Sequence, residues 1–596
     1  MSTRLILLED SAERSLSRIL QELGVHFEPQ ASLQEVFSGD NTNANKKNVL
    51  ILSGQHLNAA RALASSRSAS LAQLFGNFAA VLLCAWEGET ENIRCLSEWI
   101  GGKVEVTRFQ GDAHCYAVKP LALAKPFSGL KFGPVKTDSD FGLALAGTGC
   151  PVETIVSIGE LSFFFRAMLP GTQLFVSCSS AIFDVDAEAR RNLIAAQSFS
   201  ALVPLLFFLR HCGISAWLTP LRAANIVIDD PDLQESYGFI ETRTLAQWVD
   251  KLDCAVSIAF IPWNFKRTSP AVVELFRSRW PRLSLCVHGC NHVEAEFCGN
   301  VSSSRQLIAL ALKRMERLSR NTGLSYDKVM VFPRGEFSGS AMQALHESSF
   351  LSAVNTELID RQADRGVPAG QLLQPAITSY SGFPLFLRRP AGEPIANFAL
   401  DLLLGKPCLV GMHHDYFKEG FERLAEFVNS LKGLDPGLSW SNLQTIVSRT
   451  YSLQTNVESH HDVRLFSRYT RVVIPRPPAC ISFCKSEPMK EKAFDASVNG
   501  HEIATSRNGQ DLLFAAKVES QENVVRTRLS PVPTPSLPSY SLRYSLKVAT
   551  RRHLARIRDN YVTGPRWKRL FWEVVGGISR KRDSALGKTC SSGSRP

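Results

Sequence analysis

An α/β protein with a central (β/α) barrel is the fold class that this 596-residue sequence predicts. Three observations predict it. First, short apolar runs alternate with segments of helical period in two separate stretches, the pattern of a sheet covered by helices on its faces. Second, the later stretch, beginning near Ala224, holds seven such runs, one unit short of a complete eight-stranded barrel. Third, beyond Asp435 the helical segments give way to short alternating runs separated by Asn-Gly pairs, which read as a small β-rich unit. A doubly wound open sheet is the alternative for the second stretch. The length suits about four domains, and we divide the chain at 1–221, 222–435, 436–529 and 530–596.

In the first domain, residues 4–8, 48–52, 79–85, 103–108 and 173–177 read as strands, and 12–23 and 186–209 as helices. A parallel sheet of the flavodoxin or glutamine-amidotransferase kind is expected, without a glycine-rich phosphate loop. Cys84 ends an apolar run, but no His-Glu pair is placed to activate it, so it reads as a buried strand cysteine. In the second domain the strands fall at 226–228, 255–261, 283–287, 329–332, 351–354, 385–388 and 408–412. Helices are expected at 244–252, 271–280, 304–320, 341–347 and 421–431. The β-rich unit has runs at 471–474, 493–498 and 512–518, with hairpin signals at Asn499-Gly500 and Asn508-Gly509. Four prolines within 530–539 mark an extended linker, and a basic helical tail follows from 543 to 561.

Composition narrows the function classes. At 44% hydrophobic and 21% charged residues the chain is globular, not disordered. The net charge of +11 lies wholly in 541–596, where 14 Lys and Arg face 3 Asp and Glu, so the body of the protein is formally neutral. No CxxC pair occurs among the 14 cysteines, which excludes a zinc ribbon. The first fifteen residues carry Glu9, Asp10 and Glu13 and lack the apolar core of a signal peptide. The longest apolar stretches, 78–86 and 201–209, are too short to span a bilayer. A cytoplasmic location with reduced thiols is expected.

Chemistry-bearing residues gather at the ends of the barrel strands, where barrel enzymes place their sites. The first strand ends in Asp229-Asp230-Pro231-Asp232. Adjacent carboxylates repel unless a cation or a proton lies between them. The third ends in His288-Gly-Cys-Asn-His292. Two histidines four apart on a first helical turn share one face, a metal-ligand spacing, whereas Cys290 points away from it. The last strand runs into His413-His414, and an imidazole there can act as a general acid near neutral pH. Arg334 puts a cation at another strand end. An Asp, two His and an open position are what a hydrolytic metal requires.

These residues resemble the polysaccharide deacetylase family, the chitooligosaccharide-deacetylase-like carbohydrate esterases, over about 224–434. The resemblance implies a distorted (β/α) barrel that removes an N-acetyl or similar acyl group from a sugar. It implies one divalent ion, zinc in the first instance, held by Asp230, His288 and His292. Asp229 would be the general base, Arg334 its orienting partner, and His413 or His414 the general acid, with His413 favoured as the first titratable residue after the strand. The chain departs from the family's pattern in four places. Pro231 follows the Asp pair where glycine is usual, Gly289 replaces Ser or Thr, the arginine motif reads Phe-Pro-Arg-Gly-Glu, and no Asp stands ready to orient the acid histidine. The chain is thus a divergent member. A cytoplasmic enzyme of this kind would meet a nucleotide-linked or lipid-linked N-acylated sugar during polysaccharide or glycolipid precursor synthesis.

Two other classes compete. One is a non-catalytic carbohydrate-binding or scaffold protein with a degenerate barrel, which the intact triad disfavours. The other concerns the tail, where Arg551, Arg552, Arg556 and Arg558 make a basic face and Leu542, Leu546, Leu554, Ile557 and Tyr561 an incomplete apolar one. That composition suits an anionic surface at the inner face of a membrane, or an acidic partner. Aromatic and basic residues do not alternate as base stacking requires, which argues against nucleic acid.

Overall fold

The computed structural model describes residues 2–8, 14–38, 46–109, 111–455, 460–488, 493–530, 535, 537–538 and 540–561. Its centre is a barrel of parallel strands: β1 (Ala223–Asp229), β2 (Val256–Phe260), β3 (Leu283–His288), β4 (Val329–Val331), β5 (Ser352–Asn355), β6 (Leu385–Leu387), β7 (Arg389–Pro390) and β8 (Cys408–Met412). They follow one another in the order β6-β5-β4-β3-β2-β1-β8-β7, every neighbour parallel. Strands β6 and β7 are consecutive halves of one extended segment interrupted only at Arg388. One half pairs with β5 and the other with β8, so the two ends of the sheet meet in a single stretch of chain. The barrel therefore closes on the seven segments legible in the sequence, and the open-sheet alternative is excluded.

Strand alternation divides the apolar residues between two environments. Ala224, Ile226 and Ile228 of β1 face the surrounding helices, whereas Ala223 and Val227 face the interior with Ala259, Cys286, Val331, Val354, Phe386 and Leu409. The interior is a packed core. Its lower end is closed by Leu443, Ile446 and Val447 of the helix Leu443–Arg449. The same parity turns the buried Asp229, His288 and Arg388 inward at the opposite end, where the packing stops, and His413, just beyond β8 in the same register, is exposed there.

The first domain corrects one expectation. Ser2–Leu8, Lys46–Ser53 and Ala80–Cys84 do form parallel neighbours, extended by Thr172–Ser177. Beyond that strand the same sheet turns antiparallel through Leu161–Leu169 and Val152–Ile158. Tight turns at Gly159 and Pro170-Gly171 make consecutive strands antiparallel, a connection too short for a helix. The helix expected from 186 begins later, at Ala195–His211, and that at 12–23 is seen as Arg14–Glu22, with residues 9–13 outside the described residues. Ala195–His211 packs on the barrel helix Ile395–Leu403, so one continuous apolar core joins the first domain to the outside of the barrel. The amide of Ala195 also donates to Asn397 Oδ1 at 2.8 Å.

The third unit is a sandwich of a five-stranded and a four-stranded sheet around its own core. Both expected hairpins are present, with Val498 opposite His501 and Asn508 opposite Asp511. The linker falls largely outside the described residues, as does 562–596 with Trp567 and Trp572. The basic segment is a helix, Leu542–Tyr561, and it is docked on the barrel. It lies across the open end, with Val548, Arg552 and Asp559 buried and Leu542, Leu546, Leu554 and Ile557 exposed. Its inward face is polar, because the strand ends beneath it are polar. Of the four arginines on the expected basic face, Arg552 is buried and Arg556 lies 3.7 Å from Asp232 of the barrel. No helix among the described residues is long and apolar enough to cross a membrane.

At the closed end, Asp327 is buried and accepts a hydrogen bond from Ser284 Oγ at 3.0 Å and from the amides of Leu443 and Gln444. Burial pushes its pKa up to about 7, against those hydrogen bonds. A raised carboxyl pKa means that the folded state holds a proton the unfolded chain has already lost, so stability falls as pH rises from about 4 to about 7. The loss is on the order of 4 kcal/mol across that window. Asp327→Asn should flatten that slope in urea unfolding measured from pH 4 to 8, and an unchanged slope would show that Asp327 ionises normally.

Candidate metal centre

Asp229 ends β1 with its side chain inward, and its two oxygens accept from Arg388 Nη1 and Nη2 at 2.7 and 2.5 Å. Both groups are buried. Burial opposes ionisation of the carboxyl, but Arg388, with smaller help from His288 and His413, brings the pKa down to about 2. Gly411 on β8 gives the guanidinium room to cross, since a Cβ there would stand 3.2 Å from Arg388 Nε. The expected partner, Arg334, is elsewhere. It follows β4 in a turn with φ of 59°, which swings it to the rim, where Nη1 meets Glu294 at 3.2 Å. Arg388 was not singled out in the sequence; its inward parity, two residues after Phe386, was the available signal.

Asp230 leaves the strand with φ of 86°, a left-handed conformation that is strained for a residue with a Cβ. The turn directs its carboxylate toward β3. His288, the last residue of β3, is buried and places Nδ1 3.0 Å from the Val331 carbonyl. As donor there, Nδ1 leaves Nε2 a free lone pair, the usual arrangement for a metal-ligating histidine. His292 reaches the same point by a different route from that expected. Residues 289–300 form a loop instead of a helical turn, and left-handed residues at Gly289 and His292 fold it back. A Cβ on Gly289 would stand 2.4 Å from Pro333 and 2.6 Å from Glu296, which accounts for glycine there. The buried carboxylate of Glu296 holds the loop by accepting from the amides of Cys290, Asn291 and His292 at 3.0, 2.6 and 3.2 Å. Nothing in the sequence pattern marked Glu296.

The ligand atoms of Asp230, His288 and His292 lie within 4.8 Å of one another. Asp230 Oδ1 stands 3.1 Å from His292 Nε2 and 3.8 Å from His288 Nε2. A tetrahedral ion with ligands about 2.1 Å away separates them by about 3.4 Å, so the three fit a divalent cation. Asp230 Oδ1 is also buried without a hydrogen-bond partner. Burial lowers the pKa of His292 to about 4, with His288, Arg552 and Arg551 acting in the same sense against Asp230. Its imidazole is thus neutral and available near pH 7. Burial works against the Asp230 carboxylate, but His292, His288 and Arg552 hold its pKa below the ordinary value. Cys290 is buried and takes no part in the triad.

The two histidines after β8 diverge. His413 has inward parity, and its charge acts on Asp229. His414 turns away, stacks on Phe239 and places Nε2 3.6 Å from Asp559 of the C-terminal helix. That helix is pinned at both ends. Asn291 Nδ2 reaches the hydroxyls of Tyr540 and Tyr544 at 3.5 Å each. At the other end Asp559 accepts from Tyr237 at 2.8 Å, and Asn560 Oδ1 from the amide of Gly238 at 2.6 Å.

No known family profile matches this sequence, and no curated protein is similar to it. Solved structures do align with it. Agd3, described as a novel carbohydrate deacetylase, is 12% identical and aligns over 89% of this chain and 99% of its own, with a TM-score of 0.46. A family 4 carbohydrate esterase from Streptomyces lividans in complex with acetate is 12% identical over 37% of this chain and 91% of its own, TM-score 0.25. A Streptococcus mutans CE4 esterase is 14% identical over 38% and 87%, TM-score 0.24.

The two arginines are expected to behave oppositely. Arg388→Gln leaves Asp229 charged and buried without its partner and should cost about 3–5 kcal/mol. Arg334→Gln breaks an exposed pair and should cost less than about 1 kcal/mol. Urea unfolding of both variants checks this, and equal losses would contradict the assignment of Arg388.

Proposed function

We propose that this protein is a metal-dependent hydrolase that removes an N-acyl group, in the first instance acetyl, from a sugar. One observation carries the reading: a three-ligand set of Asp230, His288 and His292 converges at the open end of the barrel beside a second carboxylate, Asp229, and a second imidazole, His413. We assign zinc, because two neutral imidazoles and a carboxylate are a usual ligand set for it in hydrolases. Bound there, such an ion would supply Lewis acidity toward an acyl carbonyl and toward water.

The chain's own groups have separable tasks. Arg388 keeps Asp229 ionised and fixes its plane, the role the resemblance gave to Arg334. Each Asp229 oxygen retains a second acceptor position, through which the carboxylate can take a proton from the attacking water. His413 donates a proton to the departing amine nitrogen. His288 and His292 are oriented by the Val331 carbonyl and by Glu296 through the loop. From composition alone we place the reaction in the cytoplasm, on a nucleotide- or lipid-linked sugar.

His292→Ala should bring the metal content of the purified protein from about one ion per chain to near zero, since two remaining ligands hold an ion poorly. Asp229→Asn should keep the metal and slow acetate release from N-acetyl sugars by about 100-fold or more. His413→Ala should lose more rate than His414→Ala. Metal retained in the first variant, or rate retained in the second, would overturn the reading.

A further inference from the structure

The C-terminal helix brings to the site a buried guanidinium that forms no direct pair with a carboxylate. Arg552 is 5% exposed, and its Nε is buried without a hydrogen-bond partner. No carboxylate among the described residues is ion-paired or hydrogen-bonded to Arg552, although Asp230 Oδ1 and both oxygens of Asp232 also lack a hydrogen-bond partner. Asp232 faces Arg556 at 3.7 Å. Asp559 holds Tyr237 and Arg558 at 2.8 and 2.6 Å. Asp230 Oδ1 is 3.1 Å from His292. Arg552 lies on the buried side of the helix, between its contacts with Asn291 of the His292 loop and with Tyr237, and its charge acts on Asp230, His292 and Asp232. The surroundings are rich in further cations: Arg551 feels Arg334 and Arg552, and Arg267 feels Arg556 and Arg552.

Burying a guanidinium without an anion is costly. A divalent cation on the triad would add positive charge close by and deepen the imbalance. The helix also runs against the usual economy of a surface helix, with Leu542, Leu546, Leu554 and Ile557 exposed and Arg552 inside. Beside the buried Val548, its docking is held by polar contacts to the strand-end loops, and its unpaired buried group is Arg552. An anion between Arg552 and the ligand set would satisfy both.

We propose that the substrate supplies this anion: the site takes an N-acylated sugar bearing a carboxylate or a phosphate, and Arg552 is the residue that recognises it. The inference rests on the hydrolase reading above and deepens it. A guanidinium fork matches the paired oxygens of either group, which a neutral sugar does not offer. The C-terminal helix is then a wall of the substrate site, and selectivity comes from outside the barrel.

The test titrates the full-length protein, zinc-loaded and metal-stripped, with N-acetylglucosamine, N-acetylmuramic acid and N-acetylglucosamine 1-phosphate by calorimetry. At least one anionic sugar should bind about tenfold or more tightly than the neutral one, and the tighter of the two decides between carboxylate and phosphate. The preference should persist in part without metal and disappear in Arg552→Gln. Arg552→Lys, which keeps the charge and loses the fork, should retain a reduced preference; it also covers the case in which the glutamine variant does not fold. Equal binding of neutral and anionic sugars, a preference undiminished in both variants, or no binding of any of the three would overturn the proposal. Acetate release is read separately. Arg552-dependent anion binding without acetate release would refute the hydrolase reading alone, and release from the neutral sugar without anion preference would refute this inference alone.

Discussion

The buried pair of Asp229 and Arg388 is the interaction on which the architecture and the site both depend. Asp229 ends the first barrel strand, and Arg388 sits at the junction where one chain segment pairs with β5 on one side and β8 on the other. The pair therefore ties the closing segment to β1 across β8. Neither charge could be buried alone, because the desolvation of each is offset only by the other in a bidentate geometry. The same contact fixes the carboxylate beside which Asp230, His288 and His292 converge.

Around that pair the strand ends are bent to serve a common point. Asp230 and His292 both occupy left-handed backbone, and the loop carrying His292 is held by the buried Glu296 carboxylate. Strain of this kind persists where surrounding hydrogen bonds over-determine it. The lower barrel, by contrast, is ordinary apolar packing sealed by the helix Leu443–Arg449. Rigidity at one end supports an upper end that is polar, strained and incompletely paired.

The C-terminal helix changes what the barrel can be. Without it the triad would face open solvent. With it, Tyr237, His414 and Asp559 form a connected polar wall, and Asn291 ties the His292 loop to Tyr540 and Tyr544. The first domain contributes at a distance. It shares the apolar core that covers the outside of the barrel strands, and it anchors the closing segment where Arg389 meets Asp401 and the Leu193 carbonyl.

The sequence by itself determined the barrel strands and the chemistry-bearing residues that gather at their ends. Short apolar runs ending in Asp, His or His-His are a local signal, and strand parity carries it into space without knowledge of the partners. Asp229, Asp230, His288, His292 and His413 were legible for that reason. Arg388 and Glu296 were not, because each acts on a residue or loop that only closure brings near: Arg388 lies 159 positions from Asp229, and Glu296 acts on backbone amides that leave no pattern in sequence. Gly289 and the left-handed His292 likewise replaced the helical turn that the four-residue spacing suggested. The tail shows the limit most clearly. Its composition gave a basic helix with an apolar side, but composition does not say which side turns inward. Tertiary structure decided that, because the ends of the barrel strands offered carboxylates, hydroxyls and amides, and a helix docks by whichever face its substrate surface can satisfy.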